Sequence, residues 1–238
     1  MEPFLLFVVA LLAAFTQSLT GFGSALVSMA VLPGLIGIRT AAPLVALITV
    51  TIDGVLLARY RQALNLRAIW RLVAALVLGV PLGILVLRRV EERFVLAILG
   101  AVIAGYALYA LLSPRLPRLE HPAWAYGFGF LAGVLGGAYN TSGPPVVIFG
   151  NCQRWPPSEF KGNLQGFFLV NDLLVIAGHA LSQNLTPLVL RDYLIVLPAL
   201  IVGLFVGGWL DRRLDPGLFR KIVLVLLVAM GLRLLLLQ

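Results

Sequence analysis

The chain has 238 residues, 61% of them apolar and only 12% charged, with 18 Lys and Arg against 10 Asp and Glu. A soluble domain carries about twice that share of charge. The composition therefore excludes an ordinary soluble enzyme, a disordered chain, collagen and a coiled coil, and points to one polytopic unit embedded in a membrane. The lone cysteine, Cys152, excludes an internal disulfide and a thiolate metal cage.

The first stretch, residues 4–19, is apolar, has no base before Phe4 and reads as part of the mature protein rather than a leader. Thr20-Gly21-Phe22-Gly23 interrupts it, and residues 24–38 resume the apolar pattern. Each arm is short of the roughly 20 residues that span a bilayer, which predicts a discontinuous or re-entrant helix. Residues 41–58, 68–87 and 94–112 then predict three membrane-spanning helices. A second broken stretch follows: residues 123–138 are apolar, Tyr139-Asn140-Thr141-Ser142-Gly143-Pro144-Pro145 interrupts, and residues 146–152 continue. Residues 163–181, 193–210 and 218–237 predict three more spans. Trp70, Trp124, Trp155 and Trp209 all fall near segment ends, as an interfacial aromatic belt would place them.

The landmarks repeat at a near-constant offset. Gly21 and Gly143 are 122 residues apart, as are Arg39 and Lys161, while Gly79/Gly83 and Gly203/Gly207 are 124 apart, as are Arg88-Arg89 and Arg212-Arg213. Two homologous halves are expected, about 1–120 and 121–238. Basic residues favour the cytoplasmic face. Counting each broken stretch as one crossing divides the bases almost evenly. Treating each as a hairpin leaves Arg39, Arg88, Arg89, Arg93, Arg191 and Arg233 on one face and the other 12 bases opposite. That arrangement gives each half a hairpin plus three crossings. The odd number makes the expected fold an all-α membrane protein of two inverted repeats. Such folds with broken helices belong to secondary transporters, with the substrate near the bilayer midplane. The glycine pairs also offer a surface for a second copy of the chain, although helix packing within one chain uses the same pattern.

The breaks carry the chemistry. Ser142 precedes Gly143-Pro144-Pro145 as a cap precedes a helix, so a half-helix is expected to begin near Pro144. Its free end carries about half a positive charge and attracts anions. Asn140, Thr141 and Ser142 add donors there, and Gln17, Thr20, Gly21, Phe22, Gly23 and Ser24 supply the first break. Together these residues are the expected substrate site for a small anion. Ionisable groups within spans are costly and are usually functional. Asp53 lies within the first predicted span after the break, and Gln165, Asp172 and His179 recur every seventh residue along one helix. These four are expected to line the cavity or couple transport to protons. Pairing of Asp53 with Arg59 or Arg61, and a purely structural role for His179, are the alternatives.

Other chemistry finds no support. There is no phosphate-cradling loop for ATP, no ligand cluster for a metal, no nucleophile elbow and no concentrated basic patch for nucleic acid, so no cofactor and no enzymatic activity are expected. The segments Thr20-Gly-Phe-Gly-Ser-Ala-Leu26 and Gly136-Gly-Ala-Tyr-Asn-Thr-Ser-Gly-Pro-Pro-Val-Val147, each heading a module of three further spans, resemble the sulfite-exporter family TauE/SafE over essentially the whole chain. The resemblance implies a multi-pass permease of the bacterial inner membrane for sulfite or an organosulfonate, with the two broken segments forming its substrate site.

Overall fold

The computed structural model describes residues 2–112, 116–210 and 216–236. Within them the chain forms α1 (Glu2–Thr20), α2 (Ser24–Ile36), α3 (Ile38–Tyr60), α4 (Leu66–Arg89) and α5 (Glu92–Leu112), then α6 (Ala123–Tyr139), α7 (Gly143–Cys152), α8 (Pro157–Leu181), α9 (Pro187–Leu210) and α10 (Pro216–Leu236). The described residues include no strand. Arg115, and Arg212-Arg213 of the connector before α10, lie outside the described residues.

The boundaries follow local chemistry. The Asn65 side chain accepts the Ala68 N–H at 3.3 Å and caps α4. Pro157 sits at the first position of α8, where its missing N–H costs nothing. Both predicted interruptions are present. The first spans three residues, with Gly21 and Gly23 in the left-handed region at φ 83° and 107°. The second is tighter than the sequence suggests, because Gly143-Pro144-Pro145 forms the first turn of α7 and only residues 140–142 lie outside a helix.

One expectation needs correcting. α1 extends one residue past the apolar run at its C-terminal side, through Thr20, and its Pro3–Thr20 stretch is long and apolar enough to cross a membrane. The Thr20 hydroxyl returns a hydrogen bond to the Thr16 carbonyl at 2.9 Å, which lets a polar residue close the last turn. Helices α3, α4, α5, α8 and α9 also contain spans of that length and hydropathy. In α10 the described apolar part, Val223–Leu236, is shorter. Large apolar side chains such as Leu78, Leu108, Phe205 and Leu236 face outward, as a lipid-facing surface requires.

The packing has a two-fold character. α4 packs on α6 and α1 on α9, while α3 packs on α8 and α5 on α10. Exchanging the first five helices for the last five maps the first two pairs onto each other and each of the last two onto itself. Close approach is made by glycine. A Cβ at Gly79 would sit 2.4 Å from the Phe130 carbonyl oxygen of α6, and one at Gly203 would sit 2.6 Å from the Leu11 oxygen of α1. The predicted glycine pairs are thus occupied by contacts within the chain.

Gly83→Ala would place a methyl 2.2 Å from the Val134 oxygen, whereas Gly105 has nothing within 4 Å of its position. Overpacking a fixed backbone costs about 1–3 kcal/mol. Thermal unfolding in detergent is therefore expected to show Gly83→Ala clearly destabilised and Gly105→Ala nearly unchanged. Equal melting of the two variants would contradict the packing described.

Candidate functional site

The two breaks meet. Gln17, Gly23 and Ser24 from the first and Asn140, Thr141, Ser142 and Gly143 from the second line one cavity, closed in by Asp53 and Thr49 of α3 and by Phe168 and Asp172 of α8. The N-terminal ends of α2 and α7 both point into it. Each end carries about half a positive charge from its aligned peptides. The polar side chains are sealed from solvent: Gln17, Ser24, Thr49, Asp53, Asn140, Thr141, Ser142 and Asp172 are each at most 4% exposed.

Gln17 organises the first break. Its carbonyl oxygen accepts the Ser24 N–H at 3.1 Å and also the Ser24 hydroxyl, so a residue of α1 caps α2 in place of the side-chain-less Gly23. Its amide donates to Asp53 and, at 3.3 Å, to the Gln165 Oε1. Gln165 in turn donates to the Gly21 carbonyl at 2.6 Å, which holds the left-handed turn. Thr20 serves the same turn, the single hydrogen of its hydroxyl being shared between the Thr16 and Phe22 carbonyls at 2.9 and 2.5 Å. Phe22 is buried edge-on against Tyr106, with ring centroids 5.9 Å apart.

The second break is held differently. Asn140 adopts a left-handed conformation at φ 54°, which Asn tolerates better than most residues. Its amide nitrogen donates to the Ala42 carbonyl of α3 at 2.6 Å. Its Oδ1 and the Thr141 Oγ1 have no partner among the described residues. Pro144 and Pro145 carry no N–H, so the first turn of α7 offers the N–H groups of Ser142 and Gly143 only. The helix dipole survives, but direct donation rests on those two amides and the neighbouring hydroxyls.

Not every expected residue reaches the cavity. Thr20, Gly21, Phe22, Pro144 and Gln165 shape or support its walls without lining it. His179 lies apart, buried, with Nδ1 3.2 Å from the Asn184 amide at the end of α8. Seven-residue spacing keeps it on the Asp172 face but moves it roughly 10 Å along the axis. Asp53 bonds to Gln17, while Arg59 stacks on Tyr60. Lys161 also lies over Tyr60, with its stem against Gly21. Sequence reading missed Phe168, whose only signal is its place one helical turn before Asp172.

The cavity volume is about 20 Å³. A single water requires roughly 10–15 Å³ on that measure. The site therefore has room for about one water, and a larger guest needs the walls to separate. No group of three or more His, Cys, Asp or Glu that could hold a metal occurs among the described residues.

The profile of the family described as Sulfite exporter TauE/SafE matches residues 6–234. The chain belongs to the TauE/SafE family. It is accordingly a membrane transporter and not an enzyme. Its relatives include a protein of Cupriavidus necator named "Probable sulfite/organosulfonate exporter TauE", 29% identical over 93% of this chain and 90% of the relative. Another, from Comamonas testosteroni, is named "Probable inner membrane transporter protein TsaS" and is 26% identical over 72% of this chain and 74% of its own. No solved structure matches this TauE/SafE chain.

Gln17→Leu removes the partner of the Ser24 N–H, Asp53 and Gln165 together. Each buried group left unpaired costs about 1–3 kcal/mol. The variant is expected to melt well below the wild type in detergent. An unchanged melting temperature would show that Gln17 does not organise the break.

Proposed function

We propose that this TauE/SafE protein is a secondary transporter that carries sulfite or a small organosulfonate across the bacterial inner membrane by alternating access. The single observation behind this reading is that two interruptions, distant in sequence, converge on one sealed cavity lined by small polar groups, some still seeking partners. A buried polar atom without a partner is costly. Thr141 Oγ1 and Asn140 Oδ1 are in that position. A guest carrying oxygen atoms would satisfy the Thr141 hydroxyl, the Ser142 hydroxyl and the amides of Ser142 and Gly143. The names of the two relatives support the substrate class and the membrane.

The two halves are proposed to be inverted repeats. In support, each half has the same order of a broken helix pair and three further helices, and the helix contacts exchange with one another when the halves are swapped. Rocking of one half against the other around the fixed site would open it to each face in turn. A cavity of only about 20 Å³ suits a carrier between its open states better than a standing channel. The glycine pairs are used inside the chain, so one copy supplies a whole site.

Thr141→Val tests the site while preserving shape. The hydroxyl has no partner among the described residues, so its removal is expected to leave thermal stability near wild type. A hydrogen bond to a charged group contributes about 1.5–3 kcal/mol, so KM for labelled sulfite in proteoliposomes is expected to rise by about tenfold or more. Saturable sulfite flux with an unchanged KM would remove Thr141 from the site. Absence of any saturable flux from the wild type would overturn the transport reading.

A further inference from the structure

The cavity proposed to receive an anion is lined by two carboxyl groups, Asp53 and Asp172, and by no arginine or lysine. Each aspartate is 2% exposed. α3 packs against α8, and the two side chains line the same cavity of about 20 Å³. Two bare carboxylates offer only acceptor oxygens and repel each other in so small a space, so a proton held by the pair relieves the repulsion. Their other contacts leave room for one. Asp53 accepts from Gln17, and Asp172 Oδ1 accepts from the Asn171 amide at 3.2 Å, while Asp172 Oδ2 meets no donor among the described residues.

Among the described residues, no neighbouring helix brings a neutralising charge to the pair. α2 contains no ionisable residue, and α1 contains only Glu2, at its far end. On α9, Arg191 pairs with Asp192 at 3.0 Å, and the Tyr193 hydroxyl meets Thr51 at 2.7 Å. On α3 and α8 themselves, Arg59 lies over Tyr60, Lys161 reaches the Tyr60 hydroxyl at 3.5 Å, Glu159 accepts from Asn65 at 3.0 Å, and His179 meets Asn184. Arg39, at the start of α3, is exposed. Arg67, Arg71 and Arg89 belong to the two ends of α4, and Arg61 to the turn after α3. Tyr126 and Tyr139 of α6 and Cys152 of α7 are the remaining ionisable groups with described side chains on the packed helices, and none of them lines the cavity.

We propose that the Asp53–Asp172 pair carries the proton that accompanies the substrate anion, so that transport is anion–proton symport. This rests on the reading of the same cavity as the substrate site. With both carboxylates bare, two full negative charges would face two helix ends of about half a positive charge each, and an anion would be repelled. One proton removes a charge and turns an acceptor oxygen into a donor. The proton therefore promotes anion binding, and by reciprocity the anion promotes proton binding. Mutual promotion loads both together, whereas exchange of one for the other requires mutual exclusion. The proton joins a carboxylate oxygen on one side of the membrane and leaves it on the other, with no other bond changed.

The test uses the full chain in proteoliposomes, with sulfite as the probe and a pH-sensitive dye inside. At alkaline pH, where sulfite itself carries no proton, inward sulfite flux is expected to acidify the lumen. Sulfite affinity of the wild type is expected to weaken on raising the pH, by up to about tenfold per unit beyond the effect of sulfite's own protonation. Asp172→Asn, with an amide in place of the protonated acid, is expected to hold sulfite at alkaline pH more tightly than the wild type and to carry no proton. Asp53→Asn provides the same comparison should the first variant fail to fold. Sulfite flux without acidification, or the same pH profile in wild type and variant, would overturn symport while leaving the transport reading intact. No saturable sulfite binding or flux at any pH would overturn both.

Discussion

A lipid-buried backbone must find its hydrogen bonds within the protein. That constraint governs this chain, because its helices stop at two buried places and each stop leaves amides and carbonyls to be satisfied. At the first, side chains do the work: Gln17 caps α2, Gln165 holds the Gly21 carbonyl and Thr20 closes the turn. At the second, the sequence reduces the demand instead, since Pro144 and Pro145 have no N–H to satisfy. The groups that remain are the ones that face the cavity. Stability and function are thus linked at the same few residues.

The position of those stops depends on how closely the helices approach. α4 meets α6, and α9 meets α1, through glycines whose Cβ atoms would collide with facing backbone. Without a hydrophobic force between helices in lipid, such contact is a main source of association. It brings α1 and α6, which carry the chain into the two breaks, against α9 and α4. α3 and α8 pack on each other and supply Asp53, Thr49, Phe168 and Asp172. The carboxyl groups share one cavity only because the two helices pack against each other there.

This division explains what the sequence could reveal. The breaks were legible because glycine, proline and small polar residues interrupt long apolar runs, a local signal. The offset between Gly21 and Gly143 made their relation visible in one dimension. The start of α7 at Gly143 was nearly legible, and the loss of two donors to Pro144 and Pro145 followed from chemistry already in view. The meeting of Asp53 and Asp172 in one cavity was not legible, because it needs α3 to pack on α8, and the two residues are more than a hundred positions apart. The seven-residue stripe drew His179 towards Asp172 by face alone and ignored the distance along the axis. Gln17 was recognised as polar and close to the break, but its role as a cap required knowing that α2 turns back beside α1.

The central claim is that the ends of α2 and α7 together hold a negative guest. Selenite, the heavier congener of sulfite, allows the guest to be located by the anomalous scattering of selenium in crystals of the full chain. The account predicts one selenium position between Ser24 and Gly143, within hydrogen-bonding reach of the amides and hydroxyls there. Selenium found only elsewhere, such as beside Arg93 and Arg233 in the groove they share with α2, would contradict it.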